Sequence, residues 1–349
     1  MSRVNRLRGL SLRFIAAVLG LTLLGSLVLR TGPEVIWNQV HKVGFGLIVI
    51  IIFGGIAYFV RTWVWRLTFT CDITGLSWSR SFGICLASEA LGQLGVGGKA
   101  VGEGIRIALL RPVVPLANAI SSVAIDGALH LVTSTMVMLS GITATLFLAS
   151  LSGNWRVSAL VFAAALTALL ILAVVAYGNG WELIGNAARA IGRVPRFHTW
   201  ITAKLPVIDS SEDKLLNFFR ATPGAFCAAL FLSFLWQALA MLEIYVILRF
   251  MGTNITIFGA FLMEGLTKLI NLVGAMSPGN IGTYEGGNML ITRLFGVSGT
   301  IGLTLALCRR TRVLFWALIG AICLTFMRRP KEHKDTDVHS ESSAGVVPL

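Results

Sequence analysis

The stretch GAMSPGNIGTYEGGNM, residues 274–289, sets five glycines, a proline and a glutamate into a region that is otherwise apolar. A membrane helix would run straight through such a region, and this one stops. Glycine and proline interrupt the helix, and the carboxylate of Glu285 must be placed where lipid does not surround it. The rest of the chain can be read outward from that break.

On either side lie the apolar runs 257–276 and 301–327. Similar runs cover 12–29, 43–60, 113–150, 157–177 and 226–250, while 81–111 is apolar but interrupted. A hydrocarbon core of about 30 Å takes roughly 20 apolar residues per helix, and these runs meet or approach that length. The chain is 55% hydrophobic and only 13% charged over 349 residues, which excludes an ordinary soluble domain. The runs are continuous and lack the period of two that a barrel strand shows. The fold class is therefore all-α, a polytopic integral membrane helical bundle of about six to eight transmembrane helices. One membrane domain is expected over 1–329, followed by a polar, disordered cytoplasmic tail over 330–349.

A second break occurs in the first half of the chain, in SEALGQLGVGGKAVGEGIRIALLR at 88–111. Like EGLTKLINLVGAMSPGNIGTYEGGN at 264–288, it opens with an acid, runs into glycines and then presents Glu after Gly. One such stretch per half is the pattern of a transporter built from two halves around discontinuous helices. The similarity is loose, and inverted copying of the halves stays open at this level, as does the choice between re-entrant and spanning segments. Lys99, Glu103 and Arg106, together with Glu89, would cancel the insertion energy of a whole helix if they faced lipid. At the bilayer centre each costs at least about 2.5–3.5 kcal/mol, against a gain of about 0.5 per apolar residue. Both breaks are thus expected to fold inward, against each other.

Candidate residues follow from that placement. Glu103 and Arg106 are three apart and can pair on one helix face. Alternatively, the helix N-terminus near Gly102, with Lys99 and Arg106, makes a positive field suited to a phosphate. Glu264, Lys268 and Asn271 form one polar stripe, either an interhelix network or a place for an anionic headgroup. Glu285 reads as a carboxylate with few local partners and hence a proton carrier, or as an acid stabilised by a helix dipole. Asp126 and His130 read as a structural polar pair, Glu243 as a satisfied interior acid, and Arg61 and Arg66 in RTWVWR as interface anchors.

The net charge of +13 carries no nucleic-acid signal, because the basic residues gather at segment ends. Arg3 to Arg13, the Arg61/Arg66/Arg80 loop, the connection 178–220 and MRRPKEHK at 327–334 mark the cytoplasmic side, and both termini are placed there. The first segment reads as an uncleaved anchor, since no small-residue cleavage site follows it. CRRTR at 308–312 fits this scheme poorly, because it falls in an apolar stretch. The connection 178–220 holds two amphipathic stretches expected at the membrane surface. The five cysteines show no metal-ligand spacing, so no metal and no cofactor is expected. GVGGKAVGEG is not a phosphate loop, because its lysine is not followed by Ser or Thr, and nothing else suggests ATP hydrolysis.

SPGNIGTYEGG at 277–287 resembles the Pro-Gly-Gly-x-Gly-x-x-Glu signature of the lysylphosphatidylglycerol synthase transmembrane-region family, which includes the flippase domain of the multiple peptide resistance factor. GGKAVGEGIRIALL at 97–110 is similar to that family's Gly-Arg-x-Gly-Glu-x-x-Arg segment, RTWVWRL to its basic-aromatic span and CRRTRVLFWALIG to its final helix. The resemblance covers about 43–327 and carries Pro278, Gly279, Gly282 and Glu285 onto the late signature and Gly102, Glu103 and Arg106 onto the early one. Asn280 stands for the second glycine, Lys99 stands near a usual arginine, and the early proline is missing. The resemblance implies movement of a polar or anionic lipid between leaflets of a bacterial inner (cell) membrane, with membrane lipids and a lipid-modifying enzyme as partners. Synthase members carry a large soluble domain after the membrane region, whereas about twenty polar residues follow Met327 here, so no aminoacyl-transfer enzyme is expected. The rival readings are a scaffold for a lipid-modifying enzyme, a lipid-modifying transferase and a small-solute transporter.

Overall fold

The computed structural model describes residues 43–94, 98–148, 153–179, 182–193, 205–274 and 282–326, with Glu34, His198, Thr202 and Asn280 as single positions. The expected first segment, the tail over 330–349, Pro278 and Gly279 lie outside the described residues, as does the side chain of Lys99.

Eleven helices and no strands form among the described residues. They are α1 (Gly46–Leu67), α2 (Trp78–Leu94), α3 (Gly98–Leu110), α4 (Leu116–Leu148), α5 (Gly153–Gly178), α6 (Leu183–Gly192), α7 (Leu205–Ala221), α8 (Pro223–Phe250), α9 (Ile257–Gly274), α10 (Thr283–Leu294) and α11 (Gly299–Phe326). By length and composition, α1, α4, α8 and α9 are long and apolar enough to cross a membrane. α11 has 28 residues but carries Arg309, Arg310 and Arg312 inside its apolar sequence. Pro223 opens α8 at its first turn, where its missing N–H costs no helical hydrogen bond.

The distribution of polarity is that of a membrane protein. Ile48, Ile52, Ile56, Phe59 and Trp63 form an exposed stripe along α1, and Val157, Val161, Leu169 and Leu172 are exposed on α5. Arg61, Arg106, Asp126, Glu243, Glu264 and Arg309 are buried. Lipid solvates the apolar stripes, and the charges must then satisfy each other inside.

The packing answers the question of duplicated halves. Setting α1 on α8, α2 on α9, α3 on α10 and α4 on α11 exchanges the main helix packings. The α2–α11 contact maps onto α9–α4, α1–α11 onto α8–α4, and α3–α4 onto α10–α11, while α1–α8 maps onto itself. Close approaches repeat as well. A methyl group on Gly141 of α4 would fall 2.8 Å from the Gly265 Cα of α9, and one on Gly320 of α11 would fall 2.9 Å from the Ala87 nitrogen of α2. α1 and α8 are antiparallel: Gly46 at the start of α1 meets Phe250 at the end of α8, while Val64 and Leu67 near the end of α1 share an apolar cluster with Ala229 and Phe226 near the start of α8. A two-fold that exchanges antiparallel helices is perpendicular to them and so lies in the membrane plane. Among the described helices, this packing is that of inverted halves.

The breaks are local helix hairpins. In the first, α3 folds back on α2, so closely that a methyl on Gly102 would meet the Ser88 carbonyl at 2.3 Å. In the second, Asn280 (φ 53°) and Gly282 (φ 84°) take left-handed backbone between α9 and α10, conformations that suit Asn and Gly. α2 and α10 both pack along α11, so the hairpins are joined through that helix. Among the described residues, α5, α6 and α7 have no counterpart in the other half. α6 and α7 are the two amphipathic stretches of the polar connection, tied by the Gly185 N–H donating to the buried Glu212 carboxylate at 2.7 Å.

Candidate functional site

Two clusters of charge occupy the interior, one in each half. In the second half, Arg309 of α11 is the hub. Its Nε lies 3.2 Å from Glu243 Oε2 of α8 and its second guanidinium nitrogen 3.1 Å from Glu264 Oε2 of α9. Its remaining nitrogen donates to the Tyr284 hydroxyl of α10 at 3.3 Å. Four helices are thereby held by one fork of donors, the geometry in which Arg outperforms Lys. The outer carboxylate oxygens are also engaged: Lys268 Nζ stands 2.9 Å from Glu264 Oε1 and Arg312 Nε 2.9 Å from Glu243 Oε1. The Arg312 contact is out of line for a hydrogen bond and acts as charge attraction alone.

At the edge of this cluster, Glu285 closes the break. It sits in the first turn of α10, accepts the Gly282 N–H at 2.8 Å and pairs with Arg310. Arg310 also donates to the Asn280 carbonyl at 3.3 Å, and the Asn280 amide donates to Asn271 at 3.2 Å. Asn280 is thus tied to both α9 and α11.

The first-half cluster is smaller. Asp126 Oδ2 of α4 receives Arg106 of α3 at 2.6 Å and lies 2.9 Å from Arg61 of α1. Arg106 also donates to Ser88 and Cys85 of α2 and lies over the Trp65 ring at 4.5 Å. The partner oxygen, Asp126 Oδ1, is buried without a hydrogen bond among the described residues. Glu89 of α2 adds its field at Arg106, and the Glu103 carboxylate approaches Gly127 of α4.

The clusters differ in access. The side chains of Arg61, Arg106 and Asp126 are 5%, 4% and 1% exposed. In the second half a buried centre of Glu243, Glu264 and Arg309 is flanked by Lys268, Arg310, Arg312 and Glu285 at 14%, 11%, 16% and 17%. Three of those four accessible groups are cations. Ammonium and guanidinium donors in that setting bind an oxyanion through charge-assisted hydrogen bonds.

One residue joins the two clusters. The Trp236 indole of α8 lies 5.3 Å from the Arg61 guanidinium and 5.4 Å from the Lys268 ammonium, and the His130 ring of α4 meets it edge-on at 4.9 Å.

Several expectations are met and others corrected. Glu264 and Lys268 pair as their spacing requires, and Glu243 is a satisfied interior acid. Arg106 is engaged by Asp126 of the next helix, a partner beyond the local one that its spacing from Glu103 suggested. Asp126 is held by two arginines, Arg61 and Arg106, partners that its spacing from His130 did not suggest. Glu285 is not a carboxylate with few partners; Arg310 and the Gly282 N–H both hold it. Asn271 is exposed and serves the break, outside the Glu264 network. Lys99 and Gly102 lie in the first turns of α3, against α2. Arg61 is interior, whereas Arg66 holds the following loop by donating to Leu76 and Ser81. Sequence reasoning did not assign Arg309, Arg310, Arg312, Tyr284 or Trp236. The misfit of CRRTR to the cytoplasmic pattern was the signal for the arginines, and Trp236 gave none.

A family model described as the lysylphosphatidylglycerol synthase TM region matches residues 12–321. No curated protein and no solved structure matches the chain.

Proposed function

This chain belongs to the lysylphosphatidylglycerol synthase TM-region family, and from that premise we propose that it carries a polar or anionic lipid headgroup between membrane leaflets without hydrolysing ATP itself. The observation that carries this reading is the second-half cluster, a buried acid–arginine centre flanked by accessible cations inside an inverted pair of halves. A headgroup crossing the bilayer needs a charged interior while its tails stay in oil, and discontinuous helices at a repeat interface supply such places. Lys268 and Arg312 are suited to a lipid phosphate, because each already trades partial exposure against a carboxylate that the phosphate would replace. Membrane lipids are then the partners, the cell membrane is the location, and the arginine-rich ends face the cytoplasm.

The test is a leaflet-resolved assay in proteoliposomes containing a fluorescent phosphatidylglycerol. Wild type should equilibrate the probe between leaflets, and Lys268→Gln should slow it at least about tenfold, the worth of one charge-assisted contact. Lipid movement no faster than in protein-free vesicles, from folded wild-type protein, would end this reading.

A further inference from the structure

Trp236 is touched by three basic side chains from three different helices. Arg61 comes from α1 and the first-half cluster, Lys268 from α9 and the second-half cluster, and His130 from α4. An indole face attracts one cation well, and two already lie within reach of this ring. A third positive charge beside it must weaken the hold of one of the others.

His130 is the group able to add that charge, since histidine alone among ordinary side chains gains a proton between about pH 8 and 5. The groups facing it are named by the packing. On α4 itself they are Asp126, one turn away, and Ser134, whose hydroxyl is 3.5 Å from the ring nitrogens. From α8 come Trp236 and Gln237, the latter donating to Ser134 at 2.7 Å. Through Trp236 come Arg61 with its partner Asp126, and Lys268 with its partner Glu264. From α3, Glu103 approaches at Gly127 and Arg106 at Asp126.

The two cations on the ring are not equally free. Arg61 is 5% exposed and fixed against a buried carboxylate. Lys268 is 14% exposed, carries a flexible stem, and keeps Glu264 as a partner if it leaves the ring. We propose that His130 is a proton-binding site whose protonation drives Lys268 off Trp236, so that a proton bound in the interior sets the availability of the lysine at the rim. The lipid-carrying reading is needed only for the consequence, a proton-dependent headgroup contact; the coupling of His130 to Lys268 stands on geometry alone.

Coupling of this kind is reciprocal. If the proton weakens the Lys268 contact, removing Lys268 must ease protonation of His130, and its titration midpoint must rise. The measurement uses full-length protein in phosphatidylglycerol nanodiscs. The Trp236 emission is taken as the difference between a protein and the same protein carrying Trp236→Phe, followed from about pH 8 to 5. The expected result is quenching on acidification that His130→Gln abolishes. Its midpoint should rise by about half a pH unit or more in Lys268→Gln, as removal of a nearby like charge requires. Absence of titration, or an unshifted midpoint in Lys268→Gln, overturns the proposal. A shifted midpoint in a protein that moves no lipid supports the coupled site and removes the lipid reading instead.

Discussion

The two halves share an architecture and divide the work. In each, a short helix after a glycine break is pinned to the following long helix by an ion pair. In the first half the base is on the short helix, Arg106 of α3 against Asp126 of α4. In the second the acid is, Glu285 of α10 against Arg310 of α11. The polarity is exchanged while the joint is kept, which shows that the position requires a pair and not a particular residue. Access separates the halves further. The first-half triad is closed on all sides, whereas the second-half centre is flanked by accessible cations. Under the proposed function, the first half is an anchor and the second the part that meets a headgroup.

That contrast can be broken by substitution. Asp126→Ala should have the largest effect, because it strands Arg61 and Arg106 in the interior with their shared carboxylate gone. The cost is about 3–5 kcal/mol, seen as loss of a monodisperse peak on heating in detergent. Survival of that variant with an unchanged melting profile would mean that the first half is no anchor. Glu264→Gln should follow, at about 2–3 kcal/mol, because Arg309 keeps Glu243 while Lys268 loses its partner. Unlike Asp126→Ala, it should leave enough folded protein to show that lipid movement has stopped. The inverted relation is sharpened by a matched pair. Gly141→Leu and Gly320→Leu should each destabilise by about 1–3 kcal/mol, through overpacking at equivalent crossings. A large effect from one and none from the other would dissolve the equivalence.

How much of this was legible in the sequence depends on whether a contact is local. The apolar runs, the two glycine breaks and the Glu264–Lys268 pair follow from composition and helical period; among the described residues four membrane-length helices, helix ends on either side of both breaks and the pair itself are present. The buried network does not follow, because its pairs join residues far apart in the chain: Arg309 to Glu243 and Glu264, and Arg61 to Asp126. An arginine near the end of an apolar run has the same sequence signature whether it snorkels to the interface or turns inward. Only the packing of α1 against α8 and α4 decided it for Arg61. The inversion was likewise faint, since the halves conserve crossings and joints while exchanging the charges that a sequence comparison would align.

The smallest expected effect on stability is the most discriminating on function. Lys268 is partly exposed, and its removal leaves Glu264 held by Arg309 and Trp236 still beside Arg61. Lys268→Gln should therefore cost about 1 kcal/mol in stability, the net worth of one contact whose buried acid keeps a second cation. If the second half meets the headgroup, the same change should nonetheless slow lipid movement strongly. Lys268→Arg should recover part of it by restoring the charge, though not the compact ammonium that fits between Glu264 and Trp236. A stability loss as large as that of Asp126→Ala would make Lys268 another structural anchor, and the two halves would then differ in charge order alone.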